Sequence, residues 1–194
     1  NDNDWIQADD FIPNPLPNFN RGSETGIRVD CTDFTPFDYF SLFFTDKVIE
    51  IMTDETNKYA EQCFDKPIDY PPKSRFWQWK DVTQSEMRAY VGLEYAFGIC
   101  SKPNVEAYYE TFPLTRTTGF SDIMSRDRFQ MIHWMLHFND NSDRVPAGQN
   151  GYDPLFKVRT LIDEITPKFM ECYSPTQYIS VDEATLPFKG VSSF

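Results

Sequence analysis

The sequence predicts a mainly α-helical fold that ends in a short strand region. Two observations predict the helices: residues 83–86 read Thr-Gln-Ser-Glu, the form of a capping box, and apolar residues recur at helical spacing over residues 36–173. A third observation predicts the strand, because residues 178–182 alternate apolar and polar side chains. Residues 186–189 are the expected returning partner of that strand. The fold class is therefore mainly α, with a first strand or hairpin at the end.

The helix starts follow from hydroxyl side chains that can cap free backbone amides. Thr45 with Asp46 predicts a cap between two consecutive helices, Thr83 opens an apolar central helix, and Ser125 caps a helix over residues 126–137. Residues 140–152 are polar and predict a loop. A last helix is expected over about residues 154–173, and its internal Pro167 should bend or divide it.

These elements suggest three regions along the chain. Residues 1–35 are acidic and rich in Pro, Asn and Gly, which predicts an extended arm that becomes ordered only by packing on another surface. Residues 36–175 form the predicted helical domain. Residues 176–194 hold the strand signal, and we expect them to be the start of a sheet because an isolated strand pair is marginally stable in water.

Composition excludes several classes of protein. Of the 194 residues, 40% are apolar and 16% aromatic, which is not a disordered composition. We expect neither a membrane span nor a signal peptide, because no run of 18 or more apolar residues exists and the first ten residues are polar and acidic. The four cysteines form no close pair, which favours reduced thiols in an intracellular protein and no zinc site.

The charge distribution limits where nucleic acid could bind. The net charge is −12, whereas phosphate binding needs clustered Lys and Arg. Residues 1–73 carry six positive and fifteen negative side chains, a balance of −9, and residues 74–194 carry twelve and fifteen, a balance of −3. Any contact with DNA is therefore expected to be local and to come from the later part of the chain.

Four motifs occur in order along the chain and together form a specific pattern. They are Trp79-Lys80-Asp81-Val82-Thr83 with Glu86 and Met87; Met124 to Phe129 running to His137-Phe138-Asn139-Asp140-Asn141; Leu155-Phe156-Lys157-Val158-Arg159; and Ile179-Ser180-Val181-Asp182-Glu183 followed by Pro187-Phe188-Lys189-Gly190. This pattern resembles the amino-terminal half of the transposase region of the piggyBac transposase family. The resemblance covers about residues 36–190.

The resemblance implies a function for each region. The helical part resembles a dimerization and DNA-binding domain, and the strand resembles the first strand of a ribonuclease-H-like catalytic sheet. It implies a nuclear protein that has DNA, and a second copy or a full-length relative, as partners. Neither a membrane nor a small-molecule substrate is expected. The alternative is a domesticated protein-interaction module that no longer binds DNA, which the acidic net charge favours.

The resemblance also identifies Asp182 as the first of three catalytic aspartates. In the family such carboxylates hold Mg²⁺ ions, which activate the attacking oxygen and stabilise the leaving oxygen. After Gly190 the sequence reads Val-Ser-Ser-Phe, where the family continues its sheet, so the other two aspartates are not among these residues. We therefore expect these residues alone to be catalytically incomplete and to hold no metal.

Five cations are candidate phosphate contacts, because a guanidinium group suits bidentate contacts with phosphate oxygens: Arg126, Arg128, Arg144, Lys157 and Arg159. The alternative, left open by the sequence, is that they lie on solvated helix faces paired with carboxylates such as Asp122, Asp127 and Asp143.

Two further pairs of residues have both a functional and a structural interpretation. His133 and His137 share a helical face at a spacing that can bind zinc, but no third ligand is near in sequence, so we expect hydrogen-bonded roles. Trp77 and Trp79 could stack on bases. Because Phe76 lies beside them, however, we favour a hydrophobic staple.

Overall fold

The computed structural model describes residues 25–66, 71–176 and 178–182, and its architecture is mainly helical. Seven α-helices lie in these parts: α1 (Pro36–Ser41), α2 (Asp46–Phe64), α3 (Gln84–Ile99), α4 (Val105–Tyr108), α5 (Phe120–Ile123), α6 (Arg126–Met135) and α7 (Phe156–Cys172). Two 3₁₀ helices, Arg75–Gln78 and Asn141–Asp143, and two strands, β1 (Gly26–Ile27) and β2 (Tyr173–Ser174), complete the described elements. The predicted mainly α fold class is confirmed.

The predicted helix caps are present. Thr45 and Ser125 accept hydrogen bonds from the amides three residues later, and Thr83 forms a complete capping box with Glu86. These bonds satisfy amides that have no partner inside the helix. Thr35 forms a second capping box with Asp38 at the start of α1, which the sequence analysis did not identify.

The core lies where α2, α3 and α6 meet. Its fully buried side chains come from all three helices and include Val48, Ile49, Met87, Tyr90, Leu93, Phe129 and Ile132. A smaller cluster, formed by Ala60, Cys63 and Met135, continues the core along α2. The central position predicted for α3 is correct for its first half only, because Tyr95 and Ile99 near its end are 53% and 88% exposed.

Helix α7 packs less deeply than its apolar stripe predicts. It contains Pro167 and continues through it without a break. None of its residues is buried; Leu161 and Ile165 pack partly on the core, whereas Phe169 and Met170 are 57% and 73% exposed. The chain thus presents an apolar helix face that the described residues do not cover.

The observed strands differ from the predicted strand. β1 and β2 pair in antiparallel fashion, with Gly26 opposite Ser174 and Ile27 opposite Tyr173. Residues 178–182 have no regular strand, because no neighbouring strand among the described residues supplies backbone hydrogen bonds. Of the predicted arm, residues 25–35 are described and include β1. Residues 1–24 and the predicted partner at 186–189 lie outside the described residues.

Among the described residues, no helix is long and apolar enough to cross a bilayer.

Replacement of Pro167 tests whether α7 is a regular helix. Pro167 lies in the helix interior and is exposed. Pro167→Ala therefore restores an amide hydrogen bond and removes the clash between the proline ring and the preceding turn, without disturbing a packed core. We expect the free energy of unfolding to rise by about 1–3 kcal/mol in urea denaturation. The control is Pro36→Ala at the start of α1, where the missing amide costs nothing and little change is expected. Loss of stability in Pro167→Ala would contradict this account.

Candidate nucleic-acid interface

Arg128 of α6 joins two of the sequence motifs. Its Nε and Nη2 donate to Glu86 Oε1 and Oε2 at 2.9 and 3.0 Å, and its Nη1 donates to the Lys80 carbonyl oxygen at 2.8 Å. The guanidinium carbon lies 5.2 Å from the centre of the Trp79 ring, and 15% of the side chain is exposed. This geometry leaves little of the guanidinium for a phosphate. Arg128 binds the start of α3 to α6.

Glu86 has two structural functions at the same place. Its Oε2 accepts from the Thr83 amide as part of the capping box, and both oxygens accept from Arg128. The Arg128 hydrogen bond is the main cause that holds the pKa of Glu86 below its usual value. The pair is therefore charged at neutral pH, and the cap and the interhelical contact depend on one carboxylate.

The segment 137–141 connects three helices. The His137 amide donates to the Thr56 hydroxyl at 3.3 Å, and the imidazole stacks on Tyr59 with ring centres 3.4 Å apart. Asn139 accepts from the Thr160 hydroxyl and donates to the Phe156 carbonyl oxygen, so it binds α7. This motif thereby fixes α2, the end of α6 and the start of α7 against one another.

Asp140 completes that junction. It forms an ion pair with Lys58 of α2 at 2.8 Å and accepts from the Gln62 side-chain amide at 3.0 Å. The hydrogen bond from Lys58 is the first cause that lowers the pKa of Asp140, with further contributions from Ser142 and Gln62. Every polar partner of Asp140 favours its charged form, as a structural carboxylate requires.

Arg159 is held at the start of α7. Its Nε and Nη2 donate to Asp153 Oδ2 and Oδ1 at 2.8 and 2.9 Å, while Asp153 Oδ1 also accepts from the Leu155 amide. The Arg159 hydrogen bond, as the main cause, lowers the pKa of Asp153 to about 2. The bidentate pair closes the loop before α7, so Arg159 is occupied by a local partner.

Arg126 has a weaker partner. Its Nη2 lies 3.2 Å from Asp127 Oδ1, and the same oxygen accepts from Arg75 at 2.8 Å. The Arg126 side chain is 46% exposed, so this contact is worth little in water. The sequence offered Asp122, Asp127 and Asp143 as possible partners of the candidate cations. Within the described residues, Asp127 is the one that forms such a pair.

Arg144 and Lys157 differ from the other three candidates. Both are exposed, and neither has a carboxylate within ion-pair distance among the described residues. Lys157 lines a cleft of about 210 Å³ between the end of α6 and α7, together with His137 and Asn139. Burial, with Lys157 as a smaller cause, holds the pKa of His137 below its usual value. Lys157 therefore adds the uncompensated positive charge at this cleft.

The structure does not bring the five candidates into one cluster. Two of them are bound in bidentate pairs by Glu86 and Asp153, carboxylates that the sequence analysis did not connect with them. The signal for Glu86 was its place in the capping box. The signal for Asp153 was its position just before a helix, where a carboxylate can serve both an amide and a guanidinium. Phosphate contact by any of the five stays a prediction.

The two histidines do not share a ligand site. Tyr90 donates to Glu94 Oε1 at 2.6 Å and lies 2.9 Å from His133 Nδ1, which is 3.3 Å from the same Glu94 oxygen. His137 Nδ1 lies 3.2 Å from the Met135 carbonyl oxygen instead. The expected hydrogen-bonded roles are observed for both rings.

Asp182 lies at the end of the described chain and is exposed. The described residues contain no group of three or more His, Cys, Asp or Glu side chains arranged to hold a metal ion. A single carboxylate supplies fewer oxygen ligands than a magnesium site needs. The catalytic and metal-binding role of Asp182 stays a prediction from the resemblance.

Arg128→Ala tests the contact between α3 and α6 that Arg128 forms with Glu86. We expect it to lower the free energy of unfolding by about 2–3 kcal/mol, because it removes the charged partner of Glu86, leaves two carbonyl groups without this donor and uncovers Trp79. Arg126→Ala, two residues away and half exposed, is the matched control and should change it by less than about 0.5 kcal/mol. Urea denaturation at pH 7 measures both. Equal effects of the two substitutions would refute the structural role of Arg128.

The pKa values of the two histidines should be shifted in opposite directions from the unfolded value. The hydrogen bond to Glu94 raises the pKa of His133, whereas burial lowers that of His137. A raised pKa means that the contribution of His133 to stability is complete below the unfolded value near 6.5 and is lost as the pH rises through the folded value. NMR titration of the imidazoles, with His133→Gln for assignment, should place His133 above and His137 below the unfolded value. The reverse order, or coincident titrations, would count against the described contacts.

Comparison with known proteins identifies the family. The family described as Transposase IS4 matches residues 35–194. The human PiggyBac transposable element-derived protein 3 is 29% identical over 156 residues, which is 80% of this chain and 23% of that protein. The human PiggyBac transposable element-derived protein 2 is 27% identical over 158 residues, 81% of this chain and 24% of the relative. This chain thus spans about a quarter of the length of these relatives.

A solved structure shares the fold. It is described as a cryo-EM structure of a piggyBac transposase synaptic complex with hairpin DNA. The similar region is 79% of this chain and 30% of the transposase chain, with 24% sequence identity and a TM-score of 0.63. The expected resemblance is confirmed by the family match, which includes all four motifs. The chain belongs to the IS4 transposase family and is of the piggyBac type.

Proposed function

We propose that residues 36–175 are the DNA-binding and dimerization region of a nuclear, piggyBac-type transposase-derived protein. The family match supports this proposal, and so does the similar fold in a transposase whose description names bound DNA. In this proposal, Asp182 is one magnesium ligand at the start of a catalytic region. The 194 residues by themselves supply one carboxylate of the required set and do not cleave DNA.

The observation that carries the proposal is the unpaired charge at Lys157 and Arg144. The bidentate pairs at Arg128 and Arg159 use those two guanidiniums to hold the fold. Lys157 and Arg144 have no such partner in the described parts of the chain, although the protein has an excess of twelve negative charges. An unpaired cation in an acidic protein is available to phosphate, and its binding there releases counterions from DNA.

Lys157 also has the more specific surroundings of the two. The cleft beside it is lined by Asn139 and by the half-buried His137, which are fixed by their contacts with α7 and α2, respectively. A cation held next to such a rigid junction can set the position of a DNA backbone, which is how phosphate contacts orient a protein on a duplex.

The second candidate function is a protein-interaction module, and exposed apolar residues favour it. Phe169, Met170 and Tyr173 at the end of α7 and Ile27 of β1 are each at least half exposed and lie close together, because Ile27 pairs with Tyr173. Apolar side chains grouped in this way are typical of a surface that contacts another protein, here a second copy or a longer relative.

Duplex binding at several salt concentrations distinguishes the two functions. The wild-type chain should bind a 30-base-pair duplex with an affinity that falls steeply as salt rises. The double variant Arg144→Ala/Lys157→Ala should bind more weakly, with a log–log salt slope reduced by about 1.8, the value for two phosphate contacts. The control Lys47→Ala/Lys168→Ala removes the same charge from lysines already paired with Glu50 and Glu171. That control should leave the slope closer to wild type.

Two outcomes would contradict the DNA-binding proposal. One is the absence of salt-dependent binding in the wild-type chain, which would favour the protein-interaction module. The other is an equal loss in the two double variants, because this would show that net charge, and not the position of Lys157 and Arg144, determines binding.

A further inference from the structure

Helix α1 and the second half of α3 form an aromatic surface beside the core. Phe40 and Phe44 stack on each other with ring centres 4.8 Å apart and pack partly on the core. Phe37 and Tyr95 each contact Phe40, with ring centres 6.2 and 5.6 Å away, and they are 62% and 53% exposed. Tyr39 of α1 is 49% exposed. The inner rings therefore anchor α1, while the outer rings leave large faces in solvent.

The chain around these rings is acidic. Residues 29–46 contain four aspartates and neither Lys nor Arg. Asp46 pairs with Arg88 of α3 at 2.7 Å, and the other three have no cation within ion-pair distance among the described residues. Arg28 and Lys47, which flank this stretch, donate to a carbonyl oxygen of α7 and to Glu50. Their charges are therefore directed away from the aromatic surface.

Two of these aspartates lie directly beside the exposed rings. Asp38 lies in α1 between the two exposed aromatic residues of that helix, and its Oδ2 accepts from the Thr35 amide and hydroxyl at 2.8 and 2.7 Å. The hydroxyl bond is the first cause that holds the pKa of Asp38 below its usual value, so the carboxylate is charged at neutral pH. Asp33 precedes α1 and is exposed. Glu94 of α3 is already paired with His133 at 3.3 Å and adds less to this charge.

A surface of this composition suits a particular kind of partner. A guanidinium group stacks on an aromatic face and pairs with a carboxylate through two hydrogen bonds, so an arginine side chain uses both features. The aspartates would repel the phosphates of DNA. A second copy bound symmetrically would bring the same aspartates against one another, because an isologous contact pairs a surface with itself. Charge complementarity thus favours a basic peptide segment.

We propose that this surface, which consists of Asp33, Phe37, Asp38, Tyr39 and Tyr95, binds an arginine-rich peptide segment of a partner protein. Arginine side chains of that segment stack on the exposed rings and pair with the two aspartates. The proposal goes beyond the proposed function, since DNA binding and the apolar surface at the end of α7 involve other residues. Either account can fail without the other.

The test measures the fluorescence anisotropy of three labelled ten-residue peptides, in which alanine alternates with arginine, lysine or glutamate. The wild-type chain should bind the arginine peptide most tightly, because an ammonium group does not form a bidentate pair with a carboxylate, and it should not bind the glutamate peptide. Phe37→Ala and Tyr95→Ala should each weaken binding of the arginine peptide by about 2- to 5-fold, the range for one exposed cation–π contact. Phe112→Ala, which removes a ring that is 60% exposed elsewhere, is the matched control and should bind like wild type.

Further variants separate position from net charge. Asp33→Asn/Asp38→Asn keeps an oxygen for the cap of α1 and should weaken binding of the arginine peptide by about 2- to 30-fold, the range for two exposed ion pairs. Asp122→Asn/Asp163→Asn removes the same charge from exposed positions elsewhere and should have a clearly smaller effect. Tyr95→Phe keeps the ring and should bind like wild type. A thermal unfolding curve for each variant should show a nearly unchanged midpoint, because the substituted side chains lie at the surface.

The proposal is overturned if the wild-type chain does not bind the arginine peptide, if the lysine or glutamate peptide binds equally well, or if the two double variants have equal effects. It is also overturned if Phe37→Ala and Tyr95→Ala bind the arginine peptide like Phe112→Ala. In that case, a change in their sedimentation would assign the surface to a second copy, and a change in their duplex binding would assign it to DNA.

Discussion

The Arg128 guanidinium is the interaction on which the helical core depends most. It donates to the Lys80 and Asp81 carbonyl oxygens, lies over the Trp79 ring, and binds the start of α3 through Glu86. Because Glu86 also caps α3, the same carboxylate sets where that helix begins and how it meets α6. A mainly apolar interface between α3 and α6 would allow several rotations, whereas a bidentate pair selects one.

The other motifs are junctions of the same kind. Asn139 and Asp140 join the end of α6 to α7 and α2, and Asp153 with Arg159 closes the loop before α7. The residues that carry the family resemblance in the helical region thus maintain the fold. In the proposed function, contacts with DNA come from side chains that the junctions do not use, namely Lys157 and Arg144.

Local features of the structure could be predicted from the sequence, and long-range ones could not. The caps at Thr45, Thr83 and Ser125 involve partners within four residues, so their spacing was sufficient. The partner of Arg128 lies 42 residues away, and no pattern connects the two. No regular strand is described at 178–182, and its expected partner at 186–189 lies outside the described residues, so alternation alone did not determine the pairing. The exposure of α7 likewise depends on which elements pack against it. The apolar periodicity of the sequence does not carry that information.

A double-mutant cycle on Glu86 and Arg128 tests this account most directly. Glu86→Gln keeps an amide oxygen for the Thr83 cap while removing the charge, so the cycle with Arg128→Ala isolates the contact between helices from the cap itself. Urea unfolding of the wild-type chain, both single variants and the double variant gives the coupling energy. We predict a coupling of about 2 kcal/mol, which is large for two groups this close to solvent. Additive effects, with a coupling below about 0.5 kcal/mol, would show that the core does not depend on this pair and would contradict the account.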